Sequence, residues 1–379
     1  MDQKPFRSPG SGDAAASEFA ATVATPLPAI DALAHRAHPA LDLVFDGPPS
    51  DLGGDSLPLA PGLESEVERR PTISHIGRYA LKGLIGEGGL GQVYEAWDPL
   101  LSRTVAVKTL QFDVDMPSRL SLDRLFLNEA RAAAGLSHPN IVTVHDAGLS
   151  AHGVYIAMER LHGCDLRQRL AEGWRPTPAQ AVRLVRRLAD ALAYAHEHGV
   201  VHCDIKPANI FLNPRDKPKL LDFGIARVAH GKALPLLDDA VAGSPHYLAP
   251  EQLAGGPVDA RTDVHALGVV FYELLALRRA YGGDSMGRIA QAVLHEPPPL
   301  ANEVNAAVPR RLALIAAKAM APNAGDRYAS AADFAADLRR WMTQHPAADT
   351  GAQAPVGDAG APAAAAHPPR RWIAVAAAA

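Results

Sequence analysis

Hydrophobic and polar positions follow two patterns along this chain of 379 residues. Between residues 78 and 161, short apolar runs are separated by turn residues, which predicts strands at 93–97, 105–108 and 154–159. After residue 162, apolar residues recur at helical spacing. The clearest helix begins at Thr177, where Thr177-Pro178-Ala179-Gln180 forms a capping box, and ends at Gly199. The pattern predicts a strand-rich segment followed by a mostly helical one.

The two ends of the chain differ in composition from the middle. Residues 1–76 are rich in Ala, Pro, Gly, Ser and Asp and show no sustained period. We therefore predict a disordered N-terminal extension, with order beginning at Arg78. Residues 346–371 are predicted to be a Pro/Ala-rich linker. The folded domain is expected over residues 77–345.

The apolar tail, residues 372–379, allows two interpretations. Arg370 and Arg371 followed by Trp372 resemble the cytosolic edge of a membrane helix, but the tail is shorter than the roughly 20 residues that a span needs. In one interpretation the tail starts a membrane segment, which would tether a cytoplasmic domain to the inner membrane. In the other, the protein is soluble with an apolar tail.

Composition narrows the function classes. A hydrophobic share of 48% supports a packed core. The net charge of −4, with no long run among 37 Lys and Arg residues, argues against nucleic-acid binding. The two cysteines, Cys164 and Cys203, imply no disulfide framework, which favours a reducing cytosol.

The stretch 202–210 concentrates polar groups that suit phosphoryl transfer. Asp204 can accept a proton from an attacking hydroxyl, and Lys206 can neutralise a phosphate during transfer. Asn209 and, farther along, Asp222 offer oxygen ligands to Mg²⁺. Because phosphoryl transfer depends mostly on positioning and charge neutralisation, these residues indicate that reaction.

A glycine-rich run precedes this stretch. Gly86, Gly88, Gly91 and Val93 form a G-x-G-x-x-G-x-V pattern, whose glycines let backbone N–H groups approach phosphate oxygens. Followed by a helix, such a run would indicate a dinucleotide site. Here a strand follows, so we predict a glycine-rich hairpin over a triphosphate.

Two further residues complete the set. Lys108 ends a β-branched strand and Glu129 lies within a helical pattern, so the two can form an ion pair that holds the lysine against nucleotide phosphates. With Ala249-Pro250-Glu251, these motifs resemble the eukaryotic-like (Hanks-type) bacterial serine/threonine protein kinases. The resemblance covers residues 78–345. It implies an α+β, two-lobed protein-kinase fold: a small β-rich N-lobe (77–161) of five strands and one main helix, and a larger, mostly helical C-lobe (162–345).

The resemblance also assigns roles to single residues. Catalytic roles fall on Asp204, Lys206, Lys108 and Glu129. Asp263 should steady the backbone of the catalytic loop, His202 should be structural, and Arg327 should pair with Glu251. Metal ligation is implied for Asn209 and Asp222. Nucleotide contacts are implied for Ile85, Gly86, Gly88, Gly91, Val93, Ala106, Lys108, Met158, Glu159, Leu161, Asp165, Asn209 and Asp222.

Four of these residues are expected around the base and sugar. Met158 should border the back of the adenine pocket, and Glu159 and Leu161 should offer backbone groups to the adenine edge. Asp165 either meets the ribose hydroxyls or makes no nucleotide contact, and the sequence favours neither.

The implied activity is transfer of the ATP γ-phosphate to serine or threonine hydroxyls of proteins in bacterial signalling. ATP and Mg²⁺ are the implied cofactors, with Mn²⁺ as an alternative metal. Lys206, two residues after Asp204, is the pattern of serine/threonine kinases. The alternative is a pseudokinase scaffold, whose usual signature is loss of the strand lysine, the base or the Asp-Phe-Gly aspartate; Lys108, Asp204 and Asp222 are all present.

One departure from the family pattern concerns activation. Cys203 replaces the usual arginine before the catalytic aspartate, and residues 225–243 contain no Ser, Thr or Tyr. We therefore hypothesise that activation does not depend on phosphorylating this segment. Asp238 and Asp239 either supply a fixed charge or only keep the segment soluble. Cys203 is either a redox switch or, as we favour, inert.

Two hydroxyl side chains have to be judged as phosphorylation sites, Ser244 within the predicted domain and Thr72 just before it. Ser244 is expected to contact Asp204 and Lys206 and not to be a regulatory phosphosite. Thr72, which follows Arg69-Arg70-Pro71, is either an autophosphorylation site or part of a solvated linker, and we favour the linker.

Overall fold

The computed structural model describes residues 66–88, 91–110, 123, 127–128, 130–150, 153–223 and 245–346, all within one compact unit. Strands predominate in the first part. A short helix, α1 (Glu66–Arg69), precedes β1 (Ser74–Ile76), β2 (Tyr79–Gly88), β3 (Gly91–Asp98), β4 (Arg103–Leu110), β5 (Val144–Ser150) and β6 (Gly153–Glu159). Near Glu129, where the N-lobe helix was predicted, residues 127, 128 and 130–134 are helical.

The six strands form one antiparallel sheet in the order β1-β2-β3-β4-β6-β5. Successive side chains on a strand point to opposite faces, and both faces of β4 are apolar. Val105 and Val107 pack in a cluster with Tyr79. Ala106, between them, packs with Met158 in a second cluster. This second face forms one wall of the cleft described below.

The beginning of the folded region differs from the sequence prediction. We predicted disorder through residue 76 and five strands, whereas the structure describes α1 and a sixth strand, β1. Ile76 is buried, and Lys82 Nζ donates to the carbonyl oxygens of Glu68 and Arg70 and to Thr72 Oγ1. Segment 66–76 is therefore docked on the sheet, largely by polar bonds that leave no hydrophobic period in the sequence.

Helices and a small second sheet make up the rest. The helices are α2 (Leu166–Ala171), α3 (Pro178–Glu197), α4 (Pro250–Leu253), α5 (Ala260–Ala276), α6 (Met286–His295), α7 (Ala301–Val304), α8 (Arg310–Ala319) and α9 (Ala331–Gln344). The second sheet contains β7 (Cys164–Asp165), β8 (Ile210–Leu212) and β9 (Pro218–Leu220) in that order.

Helix α3 begins and ends as its sequence predicts. Thr177 Oγ1 accepts a hydrogen bond from Gln180 N, and Thr177 N donates to the Gln180 side chain at 2.8 Å, which completes the capping box. Gly199 follows the helix with φ of 74°. The apolar face of α3 packs on α5, which is buried along most of its length and also contacts α8. Helix α5 thus forms the centre of the helical lobe.

No helix among the described residues has the length and apolar character of a membrane span. The predicted linker from residue 347 onward, the apolar tail 372–379 and the predicted disorder of residues 1–65 lie outside the described residues. Glu129, Asp238, Asp239 and Ser244 also lie outside them.

Candidate active site

A buried aspartate on α5 holds the backbone just before the proposed base. The Asp263 carboxylate is fully buried and accepts hydrogen bonds from the N–H groups of His202 and Cys203, each at 2.8 Å. His196 Nε2 lies 2.8 Å from the same carboxylate. Cys203 has φ of 63°, a left-handed conformation that is unfavourable for a residue with a side chain. The predicted steadying role of Asp263 is therefore confirmed.

His202 connects this backbone to the chain just before Asp222. Its Nδ1 accepts a hydrogen bond from Asp204 N at 3.2 Å. Nε2 therefore carries the proton and donates to Leu221 O at 2.7 Å. The imidazole is fully buried and lies against Phe223, with ring centroids 4.5 Å apart and the ring planes tilted by 49°. These contacts agree with the structural role predicted for His202.

Asp204 lies in a small polar cluster with two other predicted site residues. Its Oδ2 accepts hydrogen bonds from Lys206 Nζ at 2.9 Å and from Asn209 Nδ2 at 2.8 Å. Asn209 Nδ2 also donates to the Asp204 carbonyl oxygen at 2.8 Å. Because both side-chain donors use Oδ2, the partly exposed carboxylate can present Oδ1 to a substrate hydroxyl.

Lys108 and Asp222 form the second half of the site. Lys108 Nζ lies 2.9 Å from Asp222 Oδ2, and their side chains are 3% and 13% exposed. A buried ammonium needs a nearby anion, and Asp222 supplies one. Glu129, the predicted partner of Lys108, lies outside the described residues.

The two predicted metal ligands flank neighbouring strands, since Asn209 directly precedes β8 and Asp222 follows β9. Leu221 N donates to Asn209 O at 2.9 Å, which fixes Asp222 beside the catalytic loop. Because Asn209 uses Nδ2 toward Asp204, its Oδ1 is the atom suited to a hard cation. No group of three or more His, Cys, Asp or Glu side chains with metal-binding geometry occurs among the described residues. A site of one carboxylate and one amide fits Mg²⁺, which commonly completes its shell with water and phosphate oxygens.

An apolar cleft of about 490 Å³, including its open mouth, adjoins Lys108 and Asp222. Planar apolar ligands bind in clefts with such walls and a few polar groups. The lining includes predicted nucleotide contacts, namely Ile85, Val93, Ala106, Lys108, Met158, Glu159, Leu161 and Asp222. The sequence prediction did not include four other lining residues, Val142, Arg160, Phe211 and Leu221.

A local signal was available for two of the missed residues. Phe211 is two positions after Asn209, and Leu221 directly precedes Asp222. Both were expected on short strands that flank the site, but not in the cleft wall. Val142 and Arg160 have no comparable motif.

Glu159 keeps its side chain away from the cleft. Its carboxylate accepts hydrogen bonds from Lys219 Nζ at 2.5 Å and from Thr143 N at 2.7 Å. Neither partner lines the cleft. This arrangement is compatible with a backbone contact from Glu159 to a ligand.

The glycine-rich run forms the predicted hairpin between β2 and β3, where Gly88 pairs with Gly91. Gly91 has φ of 142°, and a Cβ there would lie 1.8 Å from Thr109 O on β4. Glycine is therefore required where β3 approaches β4. Gly86 and Gly91 lie on this hairpin and are not among the described residues that line the cleft.

Asp165 lies outside the cleft lining. Its side chain is 2% exposed and caps α2 by accepting a hydrogen bond from Gln168 N at 2.7 Å. Burial raises the pKa of this carboxyl above its ordinary value. The geometry thus gives Asp165 a helix-capping role, and it does not support the ribose contact that the sequence left open.

The predicted pair beyond the cleft is confirmed. Arg327 donates to both oxygens of Glu251, at 2.7 and 2.8 Å. Burial alone would raise the pKa of Glu251, but hydrogen bonds from Arg327 and Thr262 together hold it below its ordinary value. This pair fixes α4, the helix that follows the segment 245–249. Gln252, also on α4, donates to Cys203 O at 2.9 Å.

Comparisons with known proteins agree with this geometry. Residues 79–337, more than half of the chain, match the protein kinase domain family. The serine/threonine-protein kinase PrkC of Bacillus subtilis is 37% identical over 263 residues, covering 69% of this chain and 40% of that protein. PknB of Mycobacterium leprae, also a serine/threonine-protein kinase, is 37% identical, covering 71% of this chain and 44% of that protein.

A solved structure shows the same fold. The kinase domain of Mycobacterium tuberculosis PknI is 28% identical, has a TM-score of 0.57, and aligns with 71% of this chain and 98% of that domain. The present chain spans less than half the length of the curated relatives above. The two-lobed α+β prediction is confirmed, and the chain belongs to the protein kinase family, in the group of Hanks-type bacterial serine/threonine kinases.

Proposed function

We propose that this protein transfers the γ-phosphate of ATP to serine or threonine hydroxyls of proteins in bacterial signalling. The observation that carries the proposal is a polar pair that lines one apolar cleft, together with a three-residue polar cluster whose backbone is hydrogen-bonded beside it. Lys108 lies against Asp222, and Asp204 lies against Lys206 and Asn209. A nucleotide base fits the cleft, and its phosphates would then reach these charges.

The roles follow from the geometry. Lys108 binds and orients phosphate oxygens. Asp204, held by Lys206 and Asn209, aligns the acceptor hydroxyl and accepts its proton. Lys206 offsets charge that develops on the phosphoryl group, since its Nζ is already within 2.9 Å of Asp204.

Asn209 and Asp222 would hold the metal of a nucleotide complex, with Mg²⁺ preferred and Mn²⁺ as the substitute. The bound metal neutralises phosphate charge. Fixing Asn209 by its Nδ2 hydrogen bonds orients Oδ1 before a metal arrives. Both the bacterial relatives and the Asp204/Lys206 spacing support serine or threonine as the acceptor.

Phosphotransfer to peptide libraries fixed at Ser, Thr or Tyr tests the proposal. Asp204→Asn should lower turnover by roughly 10²–10⁴-fold, the usual contribution of an acid–base group. Its affinity for Mg-ADP should remain near that of the wild type, because Asp204 is not in the cleft lining. Asp216→Asn is a matched control: Asp216 is a partly exposed aspartate in the turn between β8 and β9.

Two results would contradict the proposal in different ways. Equal turnover of Asp204→Asn and wild type would remove the assignment of Asp204. Nucleotide binding without transfer by the wild type, on any library, would instead support the pseudokinase scaffold.

We also propose that activity is independent of phosphorylation in segment 225–243. The structure describes no residue of that segment, so support comes from the sequence and from Cys203. The Cys203 side chain is buried, and its backbone is held by Asp263 and Gln252, contacts that need no arginine at this position. Burial also argues against a redox switch, since oxidation requires access. Phosphatase-treated protein should keep its activity; a large loss that rephosphorylation of the segment restores would contradict this.

A further inference from the structure

Segment 66–76 lies before the part of the chain that matches the kinase family, which begins at residue 79. It nevertheless makes specific bonds to the N-lobe. Ile73 N donates to Leu81 O at 2.8 Å, and β1 pairs with β2 from Ser74 to Ile76. With the three Lys82 hydrogen bonds described above, these contacts hold the segment at a defined position.

Glu95 on β3 is the point where this segment meets the interior. Its carboxylate is 9% exposed. Arg70 Nη1 lies 2.6 Å from Glu95 Oε2, and Arg160 Nε lies 3.1 Å from Glu95 Oε1. One largely buried carboxylate therefore joins an arginine of segment 66–76 to an arginine at the end of β6. Arg70 also lies 3.5 Å from the exposed Glu66.

Arg160 carries the connection to the cleft. It lines the cleft between Glu159 and Leu161, and its side chain is 13% exposed. Its Nη1 donates to the carbonyl oxygen of Leu161. The guanidinium is thus fixed at one end by Glu95 and at the other by a backbone group in the cleft wall.

We propose that Glu95 and Arg70 are positioning residues for nucleotide binding, acting through Arg160. Docking of segment 66–76 orients Glu95, Glu95 fixes Arg160, and Arg160 fixes the Leu161 carbonyl against the base. The inference rests on the proposed function, since it takes the cleft as the nucleotide site. A ligand in the cleft and the segment on the surface then stabilise each other's placement.

Mg-ADP affinity and steady-state kinetics of full-length variants test this coupling. Arg70→Ala should raise both the Kd for Mg-ADP and the KM for ATP about five-fold, the low end of couplings between sites. The kcat at saturating ATP should stay unchanged, because Asp204 and Lys206 are untouched. A purely structural role for Arg70 would lower stability without this split between KM and kcat.

Arg288→Ala is the matched control. Arg288 is similarly exposed and forms a two-bond pair with Glu296 on the far lobe, at 2.7 and 2.9 Å. Nucleotide affinity of Arg288→Ala should equal that of the wild type. If Arg70→Ala matches Arg288→Ala in Kd and KM, the inference is overturned.

A double-mutant cycle with Glu95→Gln and Arg70→Ala is a second, independent test. Adding Arg70→Ala to Glu95→Gln should weaken Mg-ADP binding no further, because the connection is already broken. Fully additive effects would overturn the inference, and if Glu95→Gln does not fold, the comparison of Arg70→Ala with Arg288→Ala decides alone. Wild-type protein that binds no nucleotide would overturn the proposed function as well, which separates the two failures.

Discussion

Replacing Asp263 by asparagine should disable the catalytic loop while the protein stays folded. The fully buried carboxylate accepts from two backbone N–H groups, those of His202 and Cys203, and contacts His196. An asparagine has the same shape, but its NH₂ must face at least one of these donors.

The structure allows a rough magnitude for this change. One buried N–H left without an acceptor costs about 1–3 kcal/mol. The remaining bonds lose their charge assistance, which we put at about 1 kcal/mol. The sum, about 2–4 kcal/mol, is smaller than the usual 5–15 kcal/mol stability of a domain.

The effect on activity should exceed the effect on folding. Cys203 is held at φ of 63° by its bond to Asp263, and it relaxes when that bond weakens. Asp204, the next residue, then moves. A displacement of about 1 Å can cost 10²-fold in rate. Turnover per folded molecule of Asp263→Asn should fall by about that factor.

Urea denaturation and phosphotransfer, measured on the same samples, test this reasoning. Asp337→Asn is the control, since Asp337 on α9 is also largely buried and accepts from Tyr328 and Arg311 at 2.7 Å. It should lose stability but keep its turnover per folded molecule. The argument would be refuted if Asp263→Asn lowered the free energy of unfolding by less than about 1 kcal/mol, or if Asp263→Asn and Asp337→Asn lost equal activity.

Three further predictions concern stability. Gly91→Ala should destabilise the protein by at least about 2 kcal/mol, because the added Cβ would lie 1.8 Å from Thr109 O; thermal unfolding measures this loss. Arg327→Met should cost about 3 kcal/mol in urea denaturation, since it leaves Glu251 without its two-bond partner. His265 is fully buried, neither ring nitrogen has a hydrogen-bond partner among the described residues, and burial lowers its pKa to about 3. Below about pH 6.5 the unfolded state therefore binds a proton that the folded state does not bind. The free energy of unfolding of the wild type should fall by about 2 kcal/mol between pH 7 and pH 5, and this pH dependence should be absent in His265→Phe.

Each of these predictions has a distinguishing control or outcome. Gly287→Ala lies on α6 with open space around its Cβ, so it should be neutral or slightly stabilising. Arg288→Met breaks an exposed, solvent-screened pair and should lower the free energy of unfolding far less than Arg327→Met does. Equal losses in the free energy of unfolding for Arg327→Met and Arg288→Met would contradict the stabilisation assigned to the buried Arg327–Glu251 pair. Equal pH slopes for wild type and His265→Phe would show that His265 is not the group responsible.

Local signals in the sequence were sufficient for much of the fold. The capping box at Thr177 and the glycine at 199 set the ends of α3, because helix caps depend on residues within one turn. The cluster of Asp204, Lys206 and Asn209 was equally predictable, since a short loop keeps such residues within reach of one another.

Contacts between distant parts of the chain could be predicted only where a family motif marked both partners, as for Arg327 and Glu251. Where no motif marked both partners, the sequence yielded either no prediction or a wrong one. Segment 66–76 was predicted to be disordered, yet Lys82 and Glu95 hold it on the sheet. Asp165 has the right residue type for a ribose contact, but it caps α2.

What the sequence determined by itself is therefore the order of the elements, their caps and the type of chemistry. The tertiary structure decided which side chains line the cleft, and it joined Arg70 to Arg160 through Glu95. The physical reason is the sequence separation over which each kind of interaction acts. Capping and loop chemistry act over a few residues, whereas burial and ion pairing depend on which distant segments the fold brings within a few ångströms.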